Sequence, residues 1–348
     1  MNMAARFAPE EGVLSVLGLR FEAARRLGCE VVGLDPETGY LNEIRKGDVR
    51  RVLVGGLSPL NDAVAARLVG DKSHSARVLE ARGFRVPPTV RCLKPGHFRG
   101  DFTHLEGLDA ADALAREHGY PLVVKPNFGS RGVDIGVAHD RAELEAGIRA
   151  IWQRDHLALA QAPIDGFDLR IDFLDGELLF GYVRRPVRVV GDGQRPLREL
   201  LLELDRRFDG PGFEKGLEND PIWAARFENE ESTSARLERV LGAGESLDFD
   251  TPILNLNRLC VADFVESLSP EWTEHALRIG EIFSLRHFGI DFKVRDLDDD
   301  PADSTVIEVN SSPSLLHMAR SGHLDAALAA EMKLVGKILE DARPEWCR

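Results

Sequence analysis

The chain reads as a mixed α/β fold, and three observations lead there. Near the N-terminus, short apolar runs alternate with segments of helical spacing. In the middle, two apolar arms flank Asp175-Gly176, a two-residue turn signal that marks a β-hairpin. Near the C-terminus, Val306-Ile-Glu-Val-Asn310 reads as a buried strand ended by a Ser/Pro turn, and residues 324–340 close the chain as an amphipathic helix.

The 348 residues leave room for two or three domains around a sizeable core. The net charge of −14, from 58 acidic and 44 basic residues, argues against general binding to nucleic acid or anionic membranes, while permitting a local basic pocket. The four cysteines are far apart and form no Cys-x-x-Cys pair, so neither a zinc site nor a disulfide framework is expected. With no secretory h-region and no apolar run long enough to cross a bilayer, the expected setting is cytoplasmic.

Residues 13–18, 30–34 and 49–54 read as strands, with a helix over 19–27 stopped by Gly28 and another over 60–68. That order predicts a small α/β domain with a parallel sheet over residues 1–70. Its first turn has only Gly18 and no G-x-G-x-x-G, so it is read as scaffold and substrate wall. Asp71 caps a helix over 73–82, and Lys72 sits in its first turn, where a cation gains nothing from the helix dipole.

Residues 108–118 give another amphipathic helix. Leu122-Val-Val124 is then a buried strand ended by Lys125 before Pro126, followed by a loop with Gly129, Ser130, Arg131 and Gly132 and a strand over 133–138. Glycines let backbone N–H groups approach a phosphate, and Arg131 adds charge at the tip. No Gly-Lys-Ser/Thr leads into a helix, so this is no Walker A loop; taken alone, the segment fits a plain hairpin.

A helix over 141–152 and a strand over 157–162 lead to the Asp175-Gly176 hairpin, with arms over 169–173 and 178–183. Arg170, Arg184 and Arg185 are expected to converge on it, a set suited to a carboxylate, a phosphate or an acyl phosphate. After a helix over 197–204, the glycine-punctuated stretch 205–250, with Lys215 among Gly210, Gly212 and Gly216, reads as a mobile, lid-like excursion. A helix over 272–283 precedes Gly289-Ile-Asp291. The aspartate-rich run 296–303 lacks the glycine and terminal Glu of a calcium loop and reads as a solvated tip.

In a strand, residues two apart share a face, so Glu308 and Asn310 project together. A carboxylate beside a carboxamide oxygen suits Mg²⁺ completed by water and nucleotide phosphates, and Asp291 would add a second carboxylate. An isolated Glu-x-Asn is more often a solvated strand face. Its order among the other motifs is what raises it above that.

That ordered set resembles the ATP-grasp superfamily of carboxylate–amine ligases, most nearly its cyanophycin-synthetase and glutathione-synthetase-like branch, over roughly residues 69–317. The resemblance rests on Asp71-Lys72, Val123-Val-Lys-Pro126 with Gly129-Ser-Arg-Gly-Val133, Gly166-Phe-Asp-Leu-Arg170, Val189-Val-Gly-Asp-Gly193, Gly212-Phe-Glu-Lys215, Gly289-Ile-Asp291 and Ile307-Glu-Val-Asn310. It implies an ATP-grasp fold with a short pre-ATP-grasp α/β domain over 1–70, a central subdomain over 71–160, and a C-terminal subdomain over 161–348 carrying the 205–250 insertion.

By the same resemblance, Lys72, Lys125, Gly129, Ser130, Arg131, Gly132 and Gln161 would bind ATP, and Asp291, Glu308 and Asn310 would bind Mg²⁺. Arg170, Arg184, Arg185 and Lys215 would serve catalysis, with Arg170 and Arg185 at the acyl-phosphate oxygens and Arg184 behind them. The implied activity joins a carboxylate, activated as an acyl phosphate, to the amine of an amino acid or short peptide. A phosphotransferase on the same fold and a nucleotide-binding sensor are the alternatives. Small-molecule substrates are the implied partners, and a homodimer is compatible.

Three departures stand out. Gln161 takes the place of the usual Glu, Asn255-Leu-Asn-Arg-Leu-Cys260 replaces a double-glycine segment, and no arginine precedes Asp291 by two residues, where Arg258 would substitute.

Overall fold

A computed structural model describes residues 15–97, 103–129, 134–218, 220, 223–224, 226–227, 232–249, 259–265 and 267–341. Ser130, Arg131, Gly132 and Arg258 lie outside the described residues, as does most of the 255–260 segment.

The N-terminal strand–helix reading needs correction. Val16–Arg26 is a helix (α1), started by Ser15, whose hydroxyl accepts from the Gly18 N–H at 3.0 Å. Strands β1 (Glu30–Gly33), β2 (Leu41–Lys46) and β3 (Val49–Val54) follow as an antiparallel meander, in place of the expected parallel sheet. The overlooked strand, Leu-Asn-Glu-Ile-Arg-Lys, is half charged, and only Asn42 and Ile44 are buried. Short helices α2 (Ala63–Gly70) and α3 (Lys72–Ala81) come next.

The second sheet combines β4 (Thr89–Leu93), β5 (Leu122–Pro126), β6 (Gly136–Ala138) and β7 (Leu157–Gln161) in the order β4-β7-β5-β6, every pair antiparallel. Helices α4 (Asp109–His118) and α5 (Arg141–Ile151) cover one face, burying Leu114, Leu144 and Ile148 against Leu122 and Val124. Gly166 carries the chain into the third sheet at φ +117°, and a Cβ there would strike the Val294 backbone, so only glycine fits this crossing.

The third sheet contains β8 (Phe167–Leu174) and β9 (Glu177–Pro186), the two arms of the hairpin across Asp175-Gly176. β10 (Arg188–Val190) and the expected helix, α6 (Leu197–Leu204), come next. The stretch 205–250, read from the sequence as a loose excursion, is largely folded where described, with α7 (Gly210–Glu218), α8 (Thr233–Leu237) and β11 (Ser246–Asp248). Phe208, Leu217, Trp223, Phe227, Leu237 and Phe249 form a core with Leu197 and Leu201. Burial of this many aromatic side chains, each worth about 1.5–3 kcal/mol, holds the segment as a small unit of its own.

β12 (Cys260–Val265), α9 (Pro270–Ile282), β13 (His287–Val294) and β14 (Thr305–Asn310) complete the third sheet and its cover, in strand order β12-β9-β8-β13-β14. Period-2 alternation divides this sheet into two unlike faces. Leu169, Ile171, Phe173, Phe288, Ile290 and Phe292 pack against Trp272, Ala276 and Ile279 of α9. Asp168, Arg170, Asp172 and Asp291 look out the other way. The final helices, α10 (Leu316–Arg320) and α11 (Leu324–Glu340), fold back on α1, where Arg20 and Glu331 form a fully buried ion pair at 3.2 Å.

Candidate functional site between two sheets

The register of the third sheet brings the charged residues into one array. Asp291 lies opposite Arg170 on β8 and opposite Glu308 on β14, while Gly289 lies opposite Asp172 and Asn310. Arg184 lies opposite Asp168, and Tyr182 opposite Arg170.

Arg170 Nη1 donates to Asp291 Oδ2 at 2.6 Å, Asn310 Nδ2 donates to the same oxygen at 3.1 Å, and Arg184 donates to Oδ1. Burial opposes ionisation of Asp291, but Arg170 and Arg184 more than offset it and hold the carboxyl below the usual carboxylate range. Arg170 Nε also donates to Asp172 Oδ1 at 2.5 Å. Burial pushes Asp172 up to about 6, with Arg170 pulling the other way. Lys293 and Asp168 pair at 2.9 Å farther along the same face.

The second sheet and helix α3 supply the facing cations. Asp71 caps α3 by accepting from the His74 N–H at 2.9 Å, and this places Lys72 at the helix start. Lys72 Nζ donates to the Gly129 carbonyl at 2.7 Å and stands 3.4 Å from Glu308 Oε1, so it spans from the glycine segment to β14. The Asn127 carboxamide oxygen accepts from the Ser73 N–H at 3.0 Å, tying the end of β5 to α3.

Lys125 is buried at the same end of β5 and donates to Gln161 Oε1 at 2.9 Å; Gln161 in turn donates to Thr89 Oγ1 at 2.9 Å. Burial pushes the Lys125 ammonium down to about 8, with Glu308 opposing and Lys72 reinforcing. Gln161 is thus a structural partner of the lysine.

The sequence reading grouped three arginines, and the structure brings together two. Arg185, one residue beyond Arg184, turns to the opposite face, where its exposed side chain pairs with Asp263. Strand alternation requires this, since neighbours on β9 cannot share a face. Lys215 is exposed on α7, and no hydrogen bond among the described residues ties it to the Arg170 array. Asp168, Asp172, Tyr182 and Lys293 were missed as members of the array. The two-residue period from Arg170 would have found the first two.

Two carboxylates and a carboxamide on adjacent strands are hard oxygen donors of the kind Mg²⁺ takes. Among the described residues no group of three His, Cys, Asp or Glu side chains is placed to hold a metal, so an all-protein cage is not what the array offers. A half-turn of the Asn310 amide brings its oxygen to where Nδ2 now stands. The donor set therefore fits Mg²⁺ in the form that keeps water and phosphate oxygens as its remaining ligands.

No family model matches the chain. Cyanophycin synthetase of Trichormus variabilis is 26% identical over 265 residues, which cover 74% of this chain and 28% of that protein. The glutathione biosynthesis bifunctional protein GshAB of Streptococcus thermophilus is 27% identical over 198 residues, covering 56% of this chain and 24% of its own length. The chain thus spans about a quarter of the length of these relatives. Among solved structures, a bifunctional glutathione synthetase from Pasteurella multocida superposes with a TM-score of 0.58 at 18% identity, covering 92% of this chain and 44% of that one.

An antiparallel lysine-bearing sheet facing an antiparallel sheet with one acid- and arginine-lined face is the ATP-grasp fold. In sequence its likeness is to cyanophycin synthetases and to glutathione biosynthesis bifunctional proteins. Among the described residues no helix is long and apolar enough to cross a membrane.

Proposed function

We propose that the protein is an ATP-dependent ligase that forms an amide bond between a carboxylate substrate, activated as an acyl phosphate, and the amine of an amino acid or short peptide. One observation carries the reading. Lys72 at the start of α3 pairs with Glu308, Lys125 at the end of β5 lies within its electrostatic reach, and Glu308 stands opposite Asp291 of the Asp291–Arg170–Arg184 array. The names of the relatives support it.

In this reading Lys125 and Lys72 bind the nucleotide phosphates, with the 129–132 segment covering them. A buried lysine offers its charge with little competing water, so the interaction with a phosphate is strong. Gln161 orients Lys125. Asp291, Glu308 and Asn310 hold Mg²⁺, which when bound neutralises phosphate charge.

Arg170 and Arg184 face the oxygens of the transferring phosphoryl group. Fixed in place by Asp291 and Asp172, they need little reorganisation when charge develops. Lys215 is an exposed cation of the small helical unit, available to an incoming anionic substrate. The units of this reading are 1–70, 71–160 and 161–348, with 205–250 as an insertion in the last. The substrates are small molecules, and the reduced, separated cysteines suit a cytoplasmic setting.

The test is a pairwise matrix of amino acids and dipeptides assayed for ADP release with mass spectrometry of the products. A ligase releases ADP only with both a carboxylate and an amine present, and yields a condensed product. Release with one substrate and a stable phosphorylated product identifies a phosphotransferase; nucleotide binding without turnover anywhere in the matrix identifies a sensor.

A further inference from the structure

Gly289 stands two residues before Asp291, on the face that carries the array, and it has no side chain to contribute. Its space is filled from the neighbouring strand. A Cβ at position 289 would fall on Asp172 Oδ1 and Arg170 Nη2, and would lie 2.6 Å from Arg170 Nε. The Arg170 guanidinium therefore rests on the bare backbone of β13, with Asp172 on one side and Asp291 on the other.

Asp172 is 1% exposed, and Arg170 is its only charged hydrogen-bond partner among the described residues. Burying a carboxylate this deeply is unfavourable unless it holds a cation in good geometry. A guanidinium stays charged whether or not a carboxylate lies beside it, so the part Asp172 plays is geometric.

We propose that Asp172 is a positioning residue that holds the Arg170 guanidinium over Gly289, so that β8 places its cation on the bare backbone of β13. This deepens the ligase reading above and rests on it. Without Asp172 the guanidinium is held by Asp291 alone and swings toward it. That both misplaces Arg170 relative to the transferring phosphoryl group and occupies the carboxylate more fully. Misplacement of about 1 Å at such a group is enough for a loss on the order of a hundredfold.

The experiment compares Asp172→Leu, Asp172→Asn, Gly289→Ala and the Asp172→Leu/Gly289→Ala double variant in steady-state kinetics, with crystal structures of the single variants. Expected are a kcat for Asp172→Leu lower by about a hundredfold, with KM for ATP within about twofold, and partial retention in Asp172→Asn, whose amide oxygen still accepts from Nε. Gly289→Ala removes no charge and should also lower kcat, and the double variant should be no worse than Asp172→Leu, since both changes act through Arg170. Wild-type-like kcat in Asp172→Leu, multiplying losses in the double variant, or a guanidinium still seated over Gly289 in the Asp172→Leu crystal would overturn the proposal. Should Asp172→Leu fail to fold, Gly289→Ala carries the same test through displacement of Arg170. If the wild type releases no ADP with any substrate pair, the ligase reading falls, while the crystal structures still decide whether Asp172 positions Arg170.

Discussion

Lys125 offers a prediction whose size follows from its surroundings. The residue is 5% exposed, and burial pushes its ammonium from 10.5 down to about 8. At about 1.4 kcal/mol per tenfold change in protonation equilibrium, keeping this lysine charged at pH 7 costs the folded protein about 3 kcal/mol. Replacing it with Met retains most of the volume and removes that cost, but strands Gln161 Oε1, a penalty of about 1–3 kcal/mol. Lys125→Met should therefore be as stable as the wild type at pH 7, or more so by up to about 2 kcal/mol, while turnover falls on the order of a hundredfold or more.

The pH dependence has a definite sign. Between about pH 8 and 10.5 the folded wild type has lost the proton that the unfolded chain still binds, so its stability rises with pH relative to the Met variant, at up to about 1.4 kcal/mol per unit. Nucleotide phosphates favour the charged form, so affinity for ADP should fall as pH climbs past 8 in the wild type and stay flat in Lys125→Met. Urea titrations from pH 7 to 10 and calorimetric ADP binding across the same range read both effects. Parallel stability curves, or the same pH dependence of binding in both proteins, would refute the reasoning.

Arg184→Ala and Arg185→Ala should separate cleanly. The first removes a buried partner of Asp291 and should cost about 3–5 kcal/mol as well as turnover; the second removes an exposed pair with Asp263 and should change stability by less than about 1 kcal/mol with kcat intact. Glu308→Gln is isosteric and should unfold within a few degrees of the wild type by calorimetry, yet lose Mg²⁺-dependent turnover; near-normal activity would remove Glu308 from the metal. His287 is 1% exposed, neither ring nitrogen has a hydrogen-bond partner among the described residues, and burial, then Arg20 and Arg170, push it down to about 3. The unfolded chain takes up this proton below about pH 6.5, so stability should fall with acidification at up to about 1.4 kcal/mol per unit, a slope that His287→Leu should flatten in urea titrations at pH 7 and 5.

Much of the site was legible because it sits on strands. The period of two is enough to put Glu308 with Asn310, and a two-residue turn at Asp175-Gly176 is enough to bring Arg170 and Arg184 onto facing arms. The same rule, applied strictly, would have excluded Arg185 and admitted Asp168 and Asp172.

What was not legible depends on contacts remote in sequence. Residues 13–18 are an apolar run that fits a strand or a buried helix equally, and Ser15 as a cap decides it. The core of the 205–250 stretch is built from Phe208, Trp223, Phe227 and Phe249, spaced too widely to leave any periodicity. Asn61 donates to the carbonyls of both His287 and Ser311 at 2.6 Å, pinning the start of β13 to the turn after β14, and nothing around it in the chain signals that role. Gly289 looked like a missing arginine, and only the register shows that Arg170 occupies its space.

The most direct test of the central claim follows an oxygen atom. Once the matrix has identified a productive pair, the carboxylate substrate is labelled with ¹⁸O and the inorganic phosphate released in a single turnover is analysed by mass spectrometry. Attack of the carboxylate on the γ-phosphorus followed by attack of the amine on the carbonyl leaves a carboxylate oxygen on phosphate, so each phosphate should carry one labelled oxygen. Unlabelled phosphate accompanying amide formation would contradict the account.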